Sequence, residues 1–145
     1  MTAHHAFDEL CAYTMARGDE AFMHQHVVDA FAAQTADERT APIQLTFALA
    51  GLYLHVEREF SGREVQRAHM QMARHKRAWP SFSLPPERGS MTAMDVLARE
   101  PGPARDAAIH SWSAVVWGAF RASKPMLQDL LSHYHELLYY APRKA

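Results

Sequence analysis

Residues 21–34 read AFMHQHVVDAFAAQ, two histidines one residue apart inside an alanine-rich apolar run. Met23, Val27, Phe31 and Gln34 recur at intervals of three and four, the period of a helix with one face turned to a core. A strand would need alternation of apolar and polar residues, and none is sustained here or elsewhere in the chain. This spacing predicts an all-α protein.

The flanking residues predict where the helices begin and end. Residues 6–16 make a short first helix, and RGDEAF restarts the chain, with Asp19 as N-cap of a helix running to Gln34. Thr40 caps the next helix, in which Pro42 occupies the first turn, and that helix runs to Phe60. Ser61 and Glu64 form a capping box for a fourth helix ending near Trp79-Pro80. In WPSFSLPPERGSM (79–91) the prolines exclude regular structure, yet Trp79, Phe82 and Leu84 are too apolar to leave in water, so an ordered arm on the bundle is expected. Thr92 and Asp95 start a short helix through Arg99, which EPGP ends. A long helix follows from Ala104 to Ala122, and a last one carries Leu127, Leu130, Leu131, Tyr134 and Leu138. The fold expected is a single-domain helical bundle of about five to seven helices with a Pro/aromatic connecting arm, spanning residues 1–145.

Composition narrows the function. The 145 residues are 48% apolar and 10% aromatic, enough for one core, and the formal net charge of −1 supplies no field for nucleic acid or an anionic membrane. A lone cysteine, Cys11, forms no internal disulfide, and MTAHHAFDELCAY lacks the basic segment and apolar core of a signal peptide, so a cytoplasmic location is expected. LTFALAGLYLHV is closed by EREF before it is long enough to cross a bilayer.

The histidines are the candidate site. Each helical residue turns about 100°, so His24 and His26 point about 200° apart and cannot ligate one metal ion from a single helix. The apolar stripe puts His24 beside the buried face and His26 near the opposite boundary, with Ala30 and Ala33. Glu20 lies one turn before His24. Packing the second and third helices antiparallel brings Glu20 level with His55 and His24 level with Gly51, so Glu20, His24, His55 and Glu59 are expected to gather at one end. Such a set suits a small-molecule ligand or a divalent transition metal such as zinc, iron or manganese, although it lacks the Glu-x-x-His spacing of bundle metal sites. The structural alternative is a capped first turn with a hydrogen-bonded histidine. In the last hairpin His110 comes level with His135, at the end away from His55, while His133 faces solvent beside Asp129.

The remaining features read as structure or assembly. Arg67, Arg74, His75, Lys76 and Arg77 form a solvated basic face with no nucleic-acid signature. Cys11 has no base at helical spacing, and Ser111 and Ser113 sit in no glycine elbow, so hydrolase chemistry is not supported. Trp112 and Trp117 lie about 140° apart on one helix, with Val115 and Phe120 widening the apolar surface. That predicts a homodimer through this helix, and a scaffold protein built on it and on the WPSFSLP arm is the alternative to a ligand- or metal-binding protein.

Five segments, HVVDAFAAQ, LTFALAGLYLHVE, WPSFSLP, TAMDVL and SAVVWGAF, in this order resemble a family of short bacterial proteins of unknown function. The resemblance spans nearly the whole chain and implies a single cytoplasmic helical domain without implying a reaction. Other members carry an N-terminal cysteine pair. This chain has only Cys11, so a cysteine-ligated zinc knuckle does not carry over.

Overall fold

The computed structural model describes residues 1–75 and 78–134. Among these the regular elements are all helical: α1 (Ala3–Arg17), α2 (His24–Gln34), α3 (Pro42–Arg58), α4 (Gly62–Arg74), α5 (Ala93–Leu97), α6 (Pro103–Ala119) and α7 (Lys124–Leu131), with a 3-10 turn at Arg121–Ser123 before α7. Lys76, Arg77, His135 and Leu138, which carry expectations from the sequence, lie outside the described residues.

Several starts follow the local chemistry closely. The Ser61 hydroxyl accepts from the Glu64 amide at 3.2 Å and the Glu64 carboxylate accepts from the Ser61 amide at 2.8 Å, the reciprocal pair of a capping box. Asp95 accepts from the Thr92 amide at 2.8 Å in the same way. Pro42 is the first residue of α3, but the cap falls one position later than expected, at Ala41. Thr40 instead accepts from the Asp37 amide at 2.9 Å, and the Gln44 side chain accepts from the Ala41 amide.

The start of α2 differs more. The helix begins at His24 rather than beside Asp19, because Phe22 takes a left-handed backbone at φ 54° and breaks the helical run. Asp19 still satisfies an orphan donor, accepting from the Met23 amide at 3.0 Å. The broken segment packs on the N-terminus of α4: the Arg63 amide donates to the Ala21 carbonyl at 2.8 Å, and Gly62 lies so close to the Phe22 carbonyl that a Cβ would collide with it.

α2 is the central helix, in contact with α1, α3, α4 and α6. Its buried residues are His26, Val27, Asp29, Ala30 and Ala33. The alanines let neighbouring backbones approach, and α3 answers with Gly51, also buried. α3 ends in a left-handed Glu59 at φ 60°, and the Phe60 amide donates back to the Leu54 carbonyl at 3.0 Å, which closes the helix end.

The arm is ordered against the bundle. Phe82 is buried, Trp79 is half-buried and meets Phe47 edge-on at 5.3 Å, and Arg88 donates to the Pro85, Gln34 and Ala36 carbonyls. α6 corrects the premise of the dimer argument. Trp112 and Trp117 are each 0% exposed and Phe120 1%, all within this one chain. Their indole N–H groups are satisfied internally, Trp112 donating to Gln34 at 3.0 Å and Trp117 to Glu57 at 2.6 Å. The helix is apolar on two sides because it packs on α2, α3 and α5, so it leaves no tryptophan surface for a partner.

Candidate functional site

Three imidazoles from three helices meet where α2, α3 and α6 converge. His26, in the first turn of α2, is 3% exposed and stacks on His55 of α3 with ring centroids 3.5 Å apart and planes 18° from parallel. His110 of α6 lies 5.0 Å from His55 and 5.8 Å from His26, centroid to centroid. One ring nitrogen of His110, Nδ1, stands 3.0 Å from His55 Nε2, and His55 Nδ1 stands 2.9 Å from the Phe60 carbonyl oxygen. The left-handed turn at Glu59 places that carbonyl beside a side chain five residues earlier.

These rings face an open pocket of about 510 Å³, walled on its apolar side by Met23, Val56 and Phe60 and on its polar side by Glu59, Ser61 and Glu64. Burial holds the His26 imidazole far below its ordinary range, down to about 2, with His55 and then His110 opposing its charge further. His26 is therefore a neutral ring at physiological pH.

Of the four residues expected to gather, His55 and Glu59 line this pocket. His24 turns the other way, its Nδ1 3.0 Å from the Thr14 hydroxyl of α1, and burial lowers its basicity. Glu20 lies in the turn ahead of α2, so the one-turn relation to His24 does not exist, because the helix starts only at His24. His26, placed by spacing near the boundary away from the core, is the histidine that joins His55. His110 joins them too, although a simple up-and-down hairpin put it at the far end. α6 packs against both α2 and α3, and this brings His110 back to His55. Asp129 and His133 are both exposed, in keeping with a solvent-facing pair of positions.

No local signal marks residues 26, 55 and 110 as partners, since they come from three helices far apart in the chain. Among the described residues no three His, Cys, Asp or Glu side chains are placed to hold one metal ion. Within the histidine trio, His26 presents a ring face, not a nitrogen lone pair, to His55.

The family model described as a family of unknown function, DUF5946, matches residues 3–121. The chain belongs to the DUF5946 family. The matched span contains all three pocket histidines and both of the described left-handed non-glycine residues, Phe22 and Glu59. No curated protein and no solved structure matches the chain. No helix among the described residues is long and apolar enough to cross a membrane.

Proposed function

We propose that this protein binds a small, flat, largely apolar organic molecule, neutral or cationic, in the pocket of His26, His55 and His110. The observation that carries this reading is the convergence of three imidazoles from α2, α3 and α6 on one open pocket with an apolar wall. Fully packed cores favour aliphatic residues at such a junction, whereas imidazoles put polar, polarisable rings on the pocket wall.

Backbone strain supports the same place. Phe22 and Glu59 are the described non-glycine residues with positive φ, and they flank the pocket through their neighbours Ala21, Met23 and Phe60. A left-handed conformation at such residues costs on the order of 1 kcal/mol each and tends to collect at functional sites. The charge class follows from the lining. His26 is neutral, and the carboxylates of Glu59 and Glu64 disfavour an anion. The single, unpaired cysteine fits a reducing, cytoplasmic setting.

The test is an NMR titration of histidine ring signals with benzylamine and, separately, benzoate. Benzylamine is expected to shift the His26, His55 and His110 rings while His4 and His5, exposed on α1, stay still. Shifts from benzoate alone would reverse the charge assignment, and silence of all three rings across a library of aromatic fragments would overturn the pocket.

A further inference from the structure

A second open cavity, of about 430 Å³, lies between α2, α3 and α4 and shares no lining residue with the histidine pocket. Its sides are apolar, from Val28 and Ala32 of α2 and Phe47 and Ala48 of α3. Asp29 lines it too, although this residue is only 3% exposed. Burying a carboxylate is costly unless a cation or several hydrogen-bond donors meet it. Asp29 has one donor, the Gln25 side-chain amide on the same wall, which reaches Oδ1 at 3.0 Å. Oδ2 is buried with no hydrogen-bond partner among the described residues, and no lysine or arginine among them lines the cavity.

The neighbours of the carboxyl make room for it without neutralising it. Oδ2 lies where a side chain at position 51 would begin, and Gly51 leaves that space open. On α3 the cavity wall runs through Gln44, Phe47 and Ala48, and Gly51 continues the same face by one turn, which puts the carboxyl at the inner end of the cavity. Across from it α4 brings Val65 and His69, while α1 and α6, the other helices packed on α2, add no lining residue. His69 is the second titratable group on the described wall. The Phe47 carbonyl only accepts, so His69 Nε2 donates their 2.7 Å contact. Burial lowers the basicity of this ring against the raising effect of that bond, so it is neutral at physiological pH. Nothing on the described wall repels a cation.

We propose that this cavity is a second binding site, which takes a small organic cation, a primary ammonium on a short apolar stem, with the Asp29 carboxylate as its counter-charge. The apolar sides take the stem, and the ammonium supplies the donor that Oδ2 lacks. Without a cation, burial makes the carboxyl hold its proton. Binding of the ammonium releases that proton to the buffer and leaves an ion pair, so affinity rises with pH until Asp29 ionises by itself.

The test titrates the isotope-labelled full chain with n-butylammonium and, separately, n-butanol, following the Asp29 carboxyl carbon, the Gln25 side-chain amide and the His69 ring by NMR. Butylammonium is expected to shift all three saturably, to bind on the order of tenfold more tightly than butanol, and to lower the pH midpoint of the Asp29 carbon. Asp29→Asn keeps the shape of the side chain and removes the charge. It should weaken butylammonium on the order of tenfold and leave butanol unchanged. The midpoint is read in the unaltered chain, so it decides the matter even where the variant fails to fold. An Asp29 midpoint unmoved by saturating butylammonium, equal binding of the two probes, or unchanged affinity in folded Asp29→Asn overturns the site. So does the absence of any saturable shift. Shifts confined to the His26, His55 and His110 rings place the cation in the histidine pocket, which overturns the second site and leaves the first standing.

Discussion

Asp29 of α2 and Gly51 of α3 occupy one packing position between them: a Cβ on Gly51 would fall within the envelope of the Asp29 Oδ2 atom, with Asp29 Cγ at 2.7 Å and Val65 Cγ1 at 3.1 Å. Oδ1 accepts from the Gln25 side-chain amide at 3.0 Å, and Oδ2 is buried without a hydrogen-bond partner among the described residues. The carboxyl is buried, so an added methyl group would force it or its neighbours to shift.

Gly51→Ala is therefore expected to destabilise the fold by about 1–3 kcal/mol, the usual cost of overpacking. Asp29→Ala removes the atoms that the new Cβ would meet. In a double-mutant cycle by urea unfolding, Gly51→Ala should cost clearly less in the Asp29→Ala background. Strict additivity of the two changes would contradict the shared position.

Burial raises the Asp29 carboxyl well above its usual value, and the Gln25 hydrogen bond opposes this only in part. The folded state therefore binds a proton more readily than the unfolded state. Its contribution is fully present below the unfolded value of 3.8 and is lost as pH rises through the folded one. Asp29→Asn should abolish this decline and gain on the unaltered protein toward neutral pH. Unfolding curves for the pair that run parallel across that window would place Asp29 in a solvated site.

His26 contributes with the opposite sign. Its folded value, about 2, lies below the 6.5 of the unfolded chain, so the folded state binds fewer protons and stability falls as pH drops below about 6.5. At roughly 1.4 kcal/mol per pH unit, acidification to pH 5 should cost about 2 kcal/mol through this ring. His26→Gln should flatten the acid limb, as read by unfolding at a series of pH values. Because Asp29 and His26 act in overlapping windows with opposing slopes, a level profile in the unaltered chain is compatible with both, and each variant is compared with it separately. An acid limb unchanged in His26→Gln would rule His26 out as its source.

Much of the helical framework is written in local chemistry. The Ser61–Glu64 box, the Thr92–Asp95 start, Pro42 in the first turn of α3 and the prolines of the arm act through neighbours a few residues away, so their consequences are legible without a fold. His55 and Glu59 were also legible as pocket residues, since they sit one turn apart at the end of a long apolar helix.

The choice of partners was decided only by tertiary structure. A helix with a single buried stripe would have hidden His24, but α2 is surrounded by four helices, and its closest packing uses the small-residue face of Ala30 and Ala33, which carries His26 inward. The left-handed Phe22 detaches Glu20 from that helix, a break paired with the close approach of Gly62 from a distant segment. His110 reaches His55 because α6 packs across both α2 and α3, and Trp112 and Trp117 are hidden by the same packing. Periodicity reports how apolar each side of a helix is. Which neighbour covers that side is settled by contacts between residues remote in the chain, and those contacts made three separate histidines one pocket.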